Sequence, residues 1–146
     1  TEECKLALGP EMAETVALTA ATSLGNVYER NQHERLAVRR GMTRQGVAAV
    51  EALAPDDPQS PLSEMQRAVQ RFVLAAIESL RSRDLPAADA GSDSAARLSQ
   101  LQALSDDATA AAVALLTGRF VAHALISRAC QLTATVPSIF EDGFDA

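Results

Sequence analysis

Tryptophan is absent from this chain, and aromatic residues together make up only 3% of it. Strands favour aromatic and β-branched side chains, so the shortage argues against a sheet. Lysine is scarce too. Lys5 stands alone against twelve arginines, a bias that reads as GC-rich bacterial coding. Two histidines, His33 and His123, and two cysteines, Cys4 and Cys130, are all that metal or thiol chemistry has to draw on. There is no Cys-x-x-Cys, Glu-x-x-His or Gly-x-Ser-x-Gly, and no phosphate-loop or dinucleotide pattern. Neither an enzyme, a metal centre nor a cofactor is expected. The longest apolar run, Ala108 to Leu116, is too short to cross a bilayer before Arg119 interrupts it, so no membrane insertion is expected. No segment reads as a signal peptide. Basic excess is lacking as well. The net charge of −6 and pI of 4.8 oppose the neutralisation that nucleic acid requires, so no nucleic-acid partner is expected.

What the chain does have is alanine and leucine, within an apolar content of 47%. Both are strong helix formers, and 146 residues suffice to bury a core. The expectation is an all-α fold: one domain over 1–146, an antiparallel bundle of four main helices. Gly9-Pro10 opens the first, with apolar positions Met12, Val16, Ala20, Leu24 and Val27 continuing to Ala54-Pro55. A helix that long is expected to kink or break near Gly41. Ser60 and Pro61 start the second, whose stripe runs Leu62, Met65, Val69, Phe72, Val73, Ile77, Leu80. Residues of about 85–94, rich in Ala, Asp, Gly and Ser, read as a mobile loop. Leu98, Leu101 and Leu104 mark a short third helix. The fourth, about Asp106 to Ala134, is apolar nearly all round, which suits a bundle centre or a subunit interface. Ala114 and Ala122 are expected on its shared face. An acidic, aromatic tail, 138–146, carries Phe140 and Phe144.

Five arginines, Arg30, Arg35, Arg39, Arg40 and Arg44, cluster in an otherwise acidic chain, with only Glu34 opposing them locally. Like charges four apart on a helix repel, so a negative group is expected there: an acidic protein partner, a phosphate or the tail itself. Phe140 and Phe144 are a second candidate contact, since acidic-aromatic segments dock in grooves. Glu29 and His33 share a helix face, and no second Glu/His pair answers them. The step His33-Glu34 also occurs in phosphoacceptor helices of histidine kinases, but the match is two residues long and the Pro- and Asn-rich context is missing.

The functional expectation is a non-catalytic regulatory, adaptor or sensory interaction module that forms a homodimer. An extracytoplasmic ligand-sensing bundle is the alternative, and an enzyme or phosphotransfer domain the third. A Cys4–Cys130 disulfide, tying the N-terminal segment to the last helix, would indicate an oxidising compartment; otherwise a cytoplasmic location is favoured.

Overall fold

The computed structural model describes residues 2–81 and 92–144. These form eight helices and no strand: α1 (Glu2–Leu8), α2 (Pro10–Ser23), α3 (Val27–Arg39), α4 (Arg44–Glu51), α5 (Glu64–Arg81), α6 (Asp93–Leu104), α7 (Asp107–Ala129) and α8 (Ile139–Asp142). The chain is thus all-helical, but with more and shorter helices than four. Most of the expected mobile loop lies outside the described residues. Its last three positions do not: Ser92 caps α6, and Asp93 and Ser94 belong to its first turn.

The long first helix is in fact three, because each break is chemically complete. At Gly25 (φ 65°) the chain turns left-handed after Leu24. Asn26 N–H then donates to Ala21 O at 2.8 Å and Gly25 N–H to Thr22 O at 3.1 Å. This pair of bonds closes a helix end on the carbonyls that would otherwise be orphaned. Asn26 at once caps α3, its side chain accepting from Glu29 N–H. The closure recurs at Gly41 (φ 102°), where Met42 N–H bonds Ala37 O and Gly41 N–H bonds Val38 O, both at 3.0 Å. Thr43 then caps α4 through Gly46 N–H. The second helix starts three residues late. Ser63, not Ser60, is its cap: Ser63 Oγ accepts from Gln66 N–H while Gln66 Oε1 accepts from Ser63 N–H, a reciprocal box. The fourth ends early, at Ala129 rather than about Ala134. Gln131 takes the left-handed conformation (φ 52°), and Leu132 N–H bonds Ser127 O at 2.9 Å.

The central element is α2; of the two places expected for the fourth helix, a bundle centre or a subunit interface, it does not take the first. Nine consecutive residues, Ala13 to Ala21, are buried, and α2 packs on α1, α3, α4, α5 and α7. Small Ala and Thr side chains let neighbours approach on every side. Two apolar clusters flank it. The larger joins Val16, Val69, Val73, Ile77, Leu116 and Phe120 across α2, α5 and α7. The smaller joins Leu18, Ala37, Val47, Val50, Leu62 and Ile139. Helix α7 buries only one face, through Ala110, Val113, Leu116, Thr117 and Phe120, and leaves Leu115, Leu125 and Ile126 exposed.

Candidate functional site

The smaller cluster sits beneath a charged face built on α3, and the arginine group divides there into two sets. Arg30 and Arg40 turn to carboxylates in the body of the fold: Glu34 on α3 itself, Glu51 on α4 and Glu14 on α2. Arg40 Nη1 pairs with Glu14 Oε1 at 2.6 Å, and Glu14 is completely buried within α2. Arg30 Nε lies 3.2 Å from the buried Glu34 Oε1 and 4.0 Å from Glu51 Oε1. The other set receives the tail. Arg35 pairs with Asp142 and donates to Pro137 O at 2.9 Å; Arg44 donates to Phe144 O. The Phe144 ring lies under Arg35 at 4.5 Å and Arg39 at 5.4 Å, cation–π distances.

The tail is held at its start as well. Asn31 Nδ2 donates to Val136 O at 2.9 Å. Ser138 Oγ–H and Ile139 N–H both donate to Glu34 Oε2, at 2.7 and 2.8 Å. Ser138 and Glu141 form a capping box that winds α8. Ile139 is wholly buried, whereas Phe140 faces outward. Of the residues singled out from sequence, Arg35, Arg39, Arg44 and Phe144 therefore meet; Arg40 and Phe140 point elsewhere. The paired carboxyls Glu34 and Glu51 give the face a titratable centre. Burial, and then the adjoining Glu34 charge, push Glu51 up to about 8 against the opposing pull of Arg30. Glu51 keeps its proton at neutral pH, because burial and the adjoining Glu34 charge both disfavour a second anion there.

Both histidines belong to a second polar chain that crosses the fold. Glu14 Oε2 meets His33 Nδ1 at 2.6 Å; His33 Nε2 lies 3.3 Å from Glu29 Oε2; Glu29 Oε1 lies 3.3 Å from His123 Nδ1. Arg119 Nε donates to His123 Nε2 at 3.4 Å. Phe120 stands edge-on to both imidazoles, at 5.0 and 5.8 Å. Burial alone would lower His33, but its hydrogen bonds to Glu14 and Glu29 outweigh it and raise the pKa. The His33 hydrogen bond likewise lowers Glu29, over the opposing effect of burial. The chain Arg40–Glu14–His33–Glu29–His123–Arg119 thus ties α2, α3 and α7 through successive polar contacts. No group of three or more potential ligands suited to a metal ion occurs among the described residues.

Sequence reasoning missed Glu14 and Glu51 as partners, and it placed Glu34 against the arginines without foreseeing its bonds to the tail. One signal was there for Glu14: it is the sole charge between Met12 and Leu24, embedded in a run of Ala, Thr, Val and Leu. Of the two readings of the cysteines, free thiols or a Cys4–Cys130 bridge, the structure has the first: Cys4 is half-buried, Cys130 exposed, and both are free. A separate cavity of about 450 Å³ opens between the Gly25 turn and the end of α7, with Arg128 its one ionisable lining group. No protein-family model matches the chain, and neither the curated proteins nor the solved structures give a match.

Proposed function

We propose that the chain is a non-catalytic helical interaction module that self-associates along α7. The supporting observation is the spacing of that helix's exposed side. Ala108, Ala111, Leu115, Gly118, Ala122, Leu125 and Ala129 are all exposed and follow one another at intervals of three and four. This is the seam repeat of paired helices, sustained for about 30 Å at 1.5 Å per residue. The complement of such a seam is another seam, so a second copy related by a two-fold axis fits it. The seam is also balanced about Phe120. An antiparallel copy sets Leu115 against Leu125 of the partner subunit, and Gly118 against the partner's Ala122. Small residues at the centre permit a close approach. Ala114, by contrast, turns inward and packs against the larger cluster.

By length and composition alone α7 also qualifies to cross a membrane, with 33% of its most apolar stretch buried. In the fold it packs on α1, α2, α5 and α6, which leaves the seam as its one open side. The test is the native mass by light scattering, for wild type and for Leu125→Glu. Both Leu125 and Leu115 are about two-thirds exposed, so a charge there leaves the single chain folded. A wild-type dimer that Leu125→Glu converts to a monomer supports the reading. A monomeric wild type refutes it, as does binding to neutral lipid vesicles in place of self-association.

A further inference from the structure

We infer that the α3–α4 face is a recognition site for short acidic-aromatic peptides of a separate protein, and that the chain's own C-terminal strap, Val136 to Phe144, occupies it in cis. The face reads the strap as peptide sites read ligands, by its main chain. Side chains Asn31, Glu34, Arg35 and Arg44 bond the backbone at Val136 O, Ile139 N–H, Pro137 O and Phe144 O. Side-chain chemistry is checked at three further points. Ile139 fills the apolar cluster of Leu18, Ala37, Met42, Val47, Val50 and Leu62. Asp142 meets Arg35, and Phe144 lies under Arg35 and Arg39.

Two observations make the strap a ligand rather than a wall of the core. It is joined to α7 by residues 130–135, which are exposed and form no helix. Along the strap itself Phe140, Glu141 and Gly143 are exposed, so no further layer of the fold rests on its outer side. The vacated face then dictates its next occupant. Glu34 is completely buried, and without the strap Oε2 loses both of its donors. A buried carboxylate tolerates this poorly. The incoming peptide must bring a hydroxyl and an N–H in one turn, an aliphatic residue next, an acid three positions on and an aromatic two beyond that. The arginines repel a basic peptide. The complementary charge resides in the partner's acids, as it does in Asp142.

The experiment uses the whole chain with a protease recognition sequence inserted between Thr133 and Ala134. A fluorescein-labelled peptide with the sequence of residues 136–144 reports binding by anisotropy. A tethered strap competes at an effective concentration in the millimolar range, so the intact chain should bind the peptide about 10-fold to 100-fold more weakly than the nicked chain. In the nicked chain, Arg35→Glu, or a peptide carrying Asp142→Lys, should abolish binding. Three results overturn the inference. One is a nicked strap that neither dissociates on dilution nor exchanges with labelled peptide. Another is loss of helical circular dichroism once the strap departs, which makes it part of the core. The third is an intact-chain dimer that survives Leu125→Glu but not Ile139→Asp. That result would make a second copy's strap the occupant in place of a separate partner.

Discussion

Replacing Glu51 with glutamine should stabilise the protein in alkaline solution and scarcely affect it in acid. The Glu51 carboxyl is 16% exposed, sits beside Glu34, and is pushed up to about 8 from an ordinary 4.5. A carboxyl raised on folding binds its proton more tightly in the native state than in the unfolded one. Between the two pKa values the unfolded chain holds fewer protons, so stability falls as pH rises. Below about pH 4.5 both states are protonated and nothing is lost; by about pH 8 the whole penalty applies. At roughly 1.4 kcal/mol per unit the ceiling is about 5 kcal/mol. The proton is shared with Glu34, Arg30 offsets part of the charge, and water reaches the pair, so about 2 kcal/mol is expected. Glutamine keeps the volume and an N–H donor for Glu34, and it does not titrate. Urea unfolding followed by circular dichroism, at about pH 5.5 and about pH 8.5, measures the difference; 2 kcal/mol corresponds to a midpoint shift of about 1 M. The two proteins should be within about 1 kcal/mol of each other in acid, with the variant ahead in base. A difference that is flat across pH, or a variant less stable in base, refutes the shared-proton pair.

The remaining expectations concern the arginines, the histidine chain and the thiols. Arg40→Ala should cost about 2 kcal/mol, because buried Glu14 keeps only His33, whereas Arg39→Ala should cost less than about 1 kcal/mol; chemical denaturation that ranks them the other way refutes the division of the arginine group. His33→Gln should be clearly destabilising at mildly acidic pH. His33 is raised in the fold, so its contribution is complete below about 6.5 and is lost as pH rises through the folded value. The gap from wild type should therefore narrow in alkaline unfolding curves, and a gap that widens would contradict the Glu14 and Glu29 hydrogen bonds. Cys130 should react with a thiol reagent in the native chain and Cys4 more slowly, as their exposure dictates; a native chain with no titratable thiol would restore the disulfide.

Helices were legible in the sequence because their signals are local, and the boundaries failed where two local signals competed. Ser60-Pro61 and Ser63-x-x-Gln66 both read as helix starts; the reciprocal pair at Ser63 closes two backbone donors at once, and it prevails. Gly25 went unnoticed because Leu24 and Val27 keep helical phase across it, although the left-handed turn there favours a glycine.

Burial was harder to foresee for a different reason. Both α2 and α7 are rich in small apolar residues, and composition alone left α7 a bundle centre or a subunit interface. What distinguishes them is that α2 carries polar residues on several sides within the core, Glu14, Thr15 and Thr19, each with a hydrogen-bond or ion-pair partner, whereas α7 buries Thr117 on its one inner face. A helix with satisfied polar atoms can be enclosed on all sides, while the open side of α7 has only alkyl surface to offer a neighbour. The partners of Glu34 lie more than a hundred positions along the chain, at Ser138 and Ile139. No window of sequence contains both. The arginine group looked opposed by Glu34 alone for the same reason: its other counter-charges arrive from α2, α4 and α8. An excess of like charge along one helix is therefore better read as a demand for distant acids than as an open surface. The strap is the one of those acidic segments that follows the last long helix, attached to it through exposed, non-helical residues. That tether separates a contact that can be exchanged from those at Glu14 and Glu51, which hold the fold.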